Sequence, residues 1–314
     1  MKTLDDAVHL RNRLIAILEE ADTECCSALR RPLLTITVAG GGFAGVETVA
    51  GLNDFLHEAV GFYPNLRPEQ IRVVLVHPGA VILPELGESL GRYAQKKLEE
   101  RGVEIRLNTR VTGYDGMLAT LSDSEAIVCK TLIWTAGTMP SALLSSLPCE
   151  KQRGRLLVDD TLEVPQWPGV WAVGDCALIP DRKRSGFYPP TAQHAIRQGR
   201  VLARNIINSM RGGAAKKAFS FSTIGQLAAI GRRTGVANIF GINFSGFVAW
   251  WLWRTIYLSK LPRFEKKVRV ALDWTLDVLF SKDLVQFVNL SQHAAMSKTQ
   301  PEPNTMLSRE EGVA

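Results

Sequence analysis

Apolar residues recur at helical spacing over residues 4–30, with Leu10, Leu14, Ile17 and Leu18 on one face, and Arg31-Pro32 predicts the break. A continuous apolar run from Leu33 to Ala39 then reads as a buried strand. A glycine cluster follows at once, and a helical pattern runs from Gly45 to about Val60. Ile71 to Val76 repeats the strand texture, 85–101 the helical one up to Gly102, and Val103 to Leu107 the strand again. Apolar strands alternating with helices in this way predict a parallel sheet covered on both faces.

Between Asn108 and Thr131 short alternating pieces predict a small antiparallel meander, after which Leu132 to Thr135 returns to the sheet and stops at Gly137. Further short strands are predicted from Arg155 to Val173, ending at Gly174-Asp175, and a helix over 190–210. The segment 226–290 changes texture and reads as aromatic, basic and helical. From Gln292 onward the chain is polar and carries two prolines, which predicts a disordered tail.

With 314 residues the chain can hold two domains, each with its own core. Hydrophobic residues at 46% and charged residues at 22% are ordinary for a soluble or peripheral protein. The formal charge of +6 is modest, so where the charge lies matters more than its size. Cys25, Cys26, Cys129, Cys149 and Cys176 form no C-x-x-C pair and stand in no metal-ligand spacing with His, so no metal site and a reducing compartment are expected. The first apolar run, interrupted by Arg11, Arg13, Glu19 and Glu20, does not read as a signal peptide.

Gly40-Gly41-Gly42-Phe43-Ala44-Gly45 fits G-x-G-x-x-G directly after a strand and at the opening of a helix. In that context Gly40 permits the tight turn, Gly42 lets the backbone approach a pyrophosphate, and Gly45 packs helix against strand. The phosphates then sit on the helix N-terminus, where free N–H groups and the helix dipole favour negative charge. The end of the second strand should carry Asp or Glu for the ribose hydroxyls, yet His77 stands there. Histidine can donate or accept and, when protonated, tolerates a 2′-phosphate, so NADH is expected and NADPH is not excluded. A second signal is Trp171-Ala172-Val173-Gly174-Asp175, where an Asp at a strand end can accept from a flavin's ribityl chain, although such turns are also common for structural reasons.

These motifs together resemble the two-dinucleotide flavoprotein reductases, and most closely the type II NADH:quinone oxidoreductases. The residues that carry the resemblance are Gly-Gly-Gly-Phe-Ala-Gly-Val-Glu (40–47), Ile-Trp-Thr-Ala-Gly (133–137), Val-Gly-Asp-Cys-Ala (173–177), Pro-Pro-Thr-Ala-Gln-His-Ala (189–195), Ile-Gly-Arg-Arg-Thr-Gly-Val-Ala (230–237) and Gly-Phe-Val-Ala-Trp-Trp-Leu-Trp-Arg (246–254). The resemblance implies an α/β fold with two dinucleotide-binding domains, a Rossmann-like NADH domain inserted in an incomplete FAD domain, and a C-terminal amphipathic helical segment. The expected divisions are 1–31 as a junction from the FAD domain, 32–136 as the NAD(P)H domain, 137–225 as the returning FAD half, 226–290 as a membrane-associating region and 291–314 as tail. It further implies FAD and NADH as cofactors, with hydride passing to the flavin and on to a membrane quinone without proton pumping. Residue by residue, Glu47 corresponds to the family's carboxylate near the nicotinamide–flavin contact. Ala192-Gln193 corresponds to the element beside the isoalloxazine at the quinone site, with Arg197 in place of its second Gln and Gln198 next to it. Ala136-Gly137 and Gly174-Asp175 fall at the flavin.

The family opens with its own strand–G-x-G-x-x-G–helix for the ADP half of FAD, and no such motif precedes Lys2. The resemblance therefore leads to the expectation that this chain alone is inactive. A non-catalytic NAD(P)H-binding module and a flavoprotein reductase with another acceptor, such as a sulfide:quinone enzyme, are the alternatives.

Residues 234–253 carry no charge, but Gly235, Asn238, Gly241, Asn243, Ser245 and Gly246 break the run, and basic residues follow, interleaved with Trp253, Tyr257 and Phe264. This pattern predicts monotopic attachment to an anionic membrane surface through 246–280, on the cytoplasmic face of the inner membrane. A homodimer is left open, and without a recognition motif no nucleic-acid partner is expected.

Overall fold

The computed structural model describes residues 3–279, apart from 138, 184, 213 and 214, so the predicted tail lies outside the described residues. Helix α1 (Leu4–Thr23) opens on a capping box in which Asp6 N–H donates to Thr3 Oγ1 and Thr3 N–H to the Asp6 carboxylate. The chain breaks at 24–26, not at the predicted Arg31-Pro32. The Glu24 carboxylate accepts from Cys26 N–H, and Arg30 holds the Glu24 carbonyl. That side-chain wrap starts a new helix, α2 (Ser27–Leu33), and Pro32 sits in its last turn.

Strand β1 (Thr35–Ala39), helix α3 (Phe43–Ala59), strand β2 (Arg72–Val76), helix α4 (Glu88–Glu99) and strand β3 (Val103–Arg106) follow in the predicted alternation. Strands β4 (Val111–Tyr114), β5 (Leu118–Leu121) and β6 (Ala126–Val128) form the meander, and β7 (Thr131–Trp134) returns to the sheet. The sheet order is β3-β2-β1-β7 and its pairings are parallel. Alternation along the strands serves both faces of the sheet. Ile36, Val38, Val73 and Leu75 face the helices. Ala39, Val74 and Val76 face the meander residues Ala119, Leu121 and Ile127. The connections leave β1 toward β2 on one side and return to β7 on the other, so a crevice opens at the carboxyl end of β1. Ligands bind at such a switch point in open α/β sheets.

A second core, built on Leu156, Val158, Leu162, Val164, Ile179 and Tyr188, holds β8 (Lys151–Gln152), β9 (Arg155–Leu157), β10 (Ala177–Leu178) and the helix α5 (Ala192–Arg211). The predicted strand into Gly174-Asp175 is tied by a single bridge from Glu163 to Trp171 among the described residues. The strand proper comes after the Gly-Asp pair, which itself forms a 3-10 turn over Gly174–Cys176.

The C-terminal region is not helical from its start. Strands β11 (Gly225–Ala229), β12 (Gly235–Ile239) and β13 (Ile242–Ser245) make an antiparallel sheet before α6 (Gly246–Lys260) and α7 (Phe264–Leu279). Phe240 and Gly241 take φ of 51° and 83°, the tight hairpin turn that places Ile239 opposite Ile242. Ala228 and Val236 of this sheet, and Ile230 in the turn between their strands, are buried in the same core as α3 and α4, so the sheet packs on the first half of the chain.

Candidate functional site

The glycine loop is built from contacts that a side chain would destroy. A Cβ on Gly40, whose φ is +111°, would lie 2.9 Å from Ala136 N, and one on Gly45 would lie 1.7 Å from the Gly40 carbonyl oxygen. Thr135 seals the turn from the neighbouring strand, its N–H and Oγ1 both donating to Ala39 O at 2.9 and 2.8 Å. Gly42 is the opposite case, since a Cβ there meets nothing within 4 Å. It is the N-cap of α3, and among the described residues no side chain bonds to that helix end. The first-turn N–H groups of a 17-residue helix therefore face open space at the switch point. Phe43 and Ala44 form that first turn. This arrangement fits a dinucleotide pyrophosphate.

His77 sits beneath the loop. The sequence places it as a stand-in for the ribose-reading acid. In the structure its ring is buried, and Nδ1 accepts from Gly41 N–H at 3.1 Å. Burial holds its pKa below the ordinary imidazole range.

Glu47 lies one turn into α3, and its carboxylate is already occupied. Oε1 accepts from Ala229 N–H at 3.2 Å and from Trp253 Nε1–H at 3.0 Å, joining α3 to β11 and α6. Burial raises its pKa against those two hydrogen bonds. Gln193, in the first turn of α5, reaches the other end of the same strand. Its amide donates to Gly225 O at 3.1 Å and its Oε1 accepts from Ile224 N–H at 3.4 Å. The two residues expected to be catalytic thus grip β11 at both ends.

Gly174 has φ +66°, and a Cβ on it would stand 3.4 Å from Ala195 Cβ, so the Gly174-Asp175 turn sits against the first turn of α5. Asp175 is exposed in that turn. Gly137, φ +77°, has open space around its Cβ position and follows Ala136 at the foot of the glycine loop. The chemistry of these groups fits the ribityl and ring end of a flavin.

Gln198, which the sequence marks only as the neighbour of Arg197, has a definite place in the structure. Its Oε1 accepts from Gly174 N–H at 2.8 Å, which fixes the Gly-Asp turn. A signal was available, because His194, Gln198 and Asn205 are polar, uncharged and spaced for one helix face, and all three are buried. Cys129 belongs to the meander core, whereas Cys149 and Cys176 belong to the second core, and all five cysteines are free.

The fold and the loop define a dinucleotide-binding flavoprotein reductase. The family profile of pyridine nucleotide-disulphide oxidoreductases matches residues 2–199, and that of the NDH2 C-terminal domain matches 224–283. The type II NADH:quinone oxidoreductase Ndh of Mycobacterium tuberculosis is 33% identical over 297 residues, an alignment covering 90% of this chain and 62% of that protein. A second M. tuberculosis protein, NdhA, of the same description, is 31% identical over 89% of this chain and 61% of its own length. NDH2 from Plasmodium falciparum, solved in complex with NADH, superposes with a TM-score of 0.82 at 19% identity, over 90% of this chain and 74% of that one. The chain belongs to the pyridine nucleotide-disulphide oxidoreductase family, and its C-terminal part matches the NDH2 C-terminal domain. It spans just over three-fifths of the length of the two mycobacterial relatives.

Proposed function

We propose that this chain serves NADH:quinone oxidoreduction at a membrane surface, without proton pumping. The observation that carries the reading is the uncapped N-terminus of α3 at the switch point, opened by Gly42 and closed on either side by Gly40 and Gly45. Residues 40–45 hold the NADH pyrophosphate, and Ala136-Gly137, Gly174-Asp175 and the start of α5 receive the flavin. FAD, when bound, supplies the redox chemistry by accepting hydride from the nicotinamide and delivering electrons to quinone. The chain's own part is orientation and exclusion of water. Glu47 and Gln193 act in it as positioning residues, since their side chains hold β11, and with it α6, against the nucleotide and flavin elements.

The membrane side rests on α6 and α7. Phe247, Val248 and Trp251 on the first helix and Phe264, Val268, Leu272 and Leu276 on the second are exposed, at spacings that gather each set on one face. A groove of about 280 Å³ runs between the helices, lined by Trp251, Leu258, Ala271 and Trp274. Lys260, Arg263, Lys266, Lys267 and Arg269 lie at the turn between the helices and along the first turns of α7. No described helix is long and apolar enough to cross a membrane. We assign this face to the headgroup region of an anionic leaflet on the cytoplasmic side.

The test of the nucleotide site is Gly42→Val. Because a Cβ there meets nothing in the free protein, the variant should fold with an unchanged melting temperature, yet NADH binding, read by quenching of tryptophan emission, should be lost. Unchanged NADH affinity in that variant would remove the assignment.

A further inference from the structure

Gly41 is the middle glycine of the loop, and both its backbone groups are held from the same side. Its N–H donates to His77 Nδ1 at 3.1 Å, and its carbonyl accepts from Leu83 N–H at 2.8 Å. The imidazole fills the space beneath it so closely that a Cβ on Gly41 would stand 2.8 Å from the ring carbon Cγ, and one on Gly79 would stand 2.8 Å from Nε2. With Nδ1 acting as acceptor, the ring's hydrogen is on Nε2, and the Val81 backbone takes a hydrogen bond from the ring. The His77 backbone is itself fixed, its N–H donating to Arg106 O and its carbonyl accepting from Thr109 N–H. The imidazole is thus a strut between the glycine loop and the 79–83 segment.

We propose that His77 is a positioning residue that braces the dinucleotide loop from beneath, and that it does so only as the neutral imidazole. The proposal rests on residues 40–45 being the dinucleotide site. A protonated ring carries a hydrogen on both nitrogens, and Nδ1–H would then point at Gly41 N–H with nothing to accept either. The surroundings favour the neutral form. Residues 40–45 and 78–83 bring no ionisable side chain to the ring, and Arg106 on β3 is paired with Glu104. Glu85, on the turn Pro84–Leu86, favours protonation, but burial outweighs it. The group's folded pKa is depressed, so the brace is complete above the ordinary value of 6.5 and is lost as pH falls through the lower folded value.

Two variants separate bracing from mere packing. Asn at this position can place its carboxamide oxygen where Nδ1 stands and does not titrate. Gln reaches toward the Nε2 position instead and leaves Gly41 N–H without its acceptor. The probe is ADP-ribose, which carries the pyrophosphate without the acid-labile dihydronicotinamide, titrated by calorimetry between pH 5 and pH 8. Wild type should bind with constant affinity at the alkaline end and weaken on acidification. His77→Asn should bind as wild type does at pH 8 and stay flat. His77→Gln should be weaker by about tenfold at every pH, the cost of one buried donor left unpaired. Amide hydrogen exchange over residues 38–46, measured without ligand at pH 8, should speed up in His77→Gln and not in His77→Asn. An Asn variant that declines in acid as wild type does, or a Gln variant with wild-type exchange, would overturn the brace. Failure of wild type to bind ADP-ribose would instead strike the dinucleotide assignment, and the exchange measurement still decides the brace.

Discussion

Two regions that pack on α3 handle their surfaces in opposite ways. Around the N-terminus of α3 the glycine loop and β1 are closely packed. Every residue of β1 is buried, the Gly40 and Gly41 amides both have partners, and the space opens at Gly42. The region of α6 and α7 buries little of its own apolar surface. Ala249 is the one residue of α6 in the buried class, while Phe264 is 79% exposed and Leu272 59%. The first region packs its own side chains and leaves space only where the backbone opens at the glycines. The second presents a face whose partner is another phase. One chain thus couples a rigid ligand site to a surface that is finished only by attachment, and the coupling runs through α3, β11 and the turn joining β11 to β12.

The first way to break this contrast is to test the intolerance of the loop. Gly45→Ala places a methyl 1.7 Å from Gly40 O, an overlap that no rotamer relieves because both partners are backbone. Either α3 or β1 must shift, and the expected loss is about 4 kcal/mol or more, in the exceptional range for single substitutions. Thermal unfolding measures it beside Gly42→Val, three residues earlier, which should cost almost nothing. Similar melting temperatures for the two variants would mean that the loop is not packed as described.

The second test lies at the lock between the regions. Arg101, just after α4, donates to Asp54 of α3 at 2.7 Å and to Ile230 O at 3.0 Å, while Arg232 N–H donates to the same carboxylate at 2.9 Å. A Cβ on Gly231 would lie 1.5 Å from the guanidinium, so the turn joining β11 to β12 closes around it. Arg101→Ala leaves Asp54 partly buried without its cation and should cost about 2 kcal/mol. Burial already raises the Asp54 pKa against the pull of Arg101. Stability tied to a raised carboxyl is present below the unfolded pKa and lost as pH rises through the folded one. The deficit of the variant should therefore be largest at neutral pH and shrink on acidification, as read from urea unfolding at several pH values. A deficit that grows in acid would refute the role of Asp54.

The same contrast explains what the sequence made legible. The glycine loop could be read because its requirements are local: a turn, a close approach and a helix start follow one another within six residues. The partners of Glu47 could not, since Ala229 and Trp253 lie 182 and 206 residues away, and a carboxylate after the glycines looks the same whether it faces a ligand or a helix. His77 was found by its place at the strand end, but the direction of its ring depends on Gly41 and Gly79 giving it room. Aromatic and glycine-rich, residues 226–245 resemble the start of the following helix. Their strand pairing is set by the turn at Phe240-Gly241 and by packing on α4, which periodicity does not carry. The break at 24–26 depended on one arginine reaching back six residues, a contact with no compositional mark.

The smallest effect on the fold should accompany a large effect on attachment. Trp251 and Leu272 are 54% and 59% exposed, on the apolar faces of α6 and α7. Replacing both with Glu removes no buried contact, so stability should change by less than about 0.5 kcal/mol per site. Binding to vesicles should respond far more. Each side chain that enters the headgroup region contributes on the order of 2 kcal/mol of apolar burial, and each carboxylate adds repulsion from an anionic surface. In flotation with phosphatidylserine vesicles, wild type should rise with the lipid and Trp251→Glu/Leu272→Glu should remain below. Raising salt should release part of the wild type, because the share contributed by Lys260, Arg263, Lys266, Lys267 and Arg269 is screened within about 10 Å at 0.1 M. Neutral phosphatidylcholine vesicles should hold less protein than anionic ones, leaving the apolar share alone. If the doubly substituted chain floats as wild type does, α6 and α7 face something other than lipid. A shift of wild type from dimer to monomer on the same substitutions would identify that partner as a second copy of the chain.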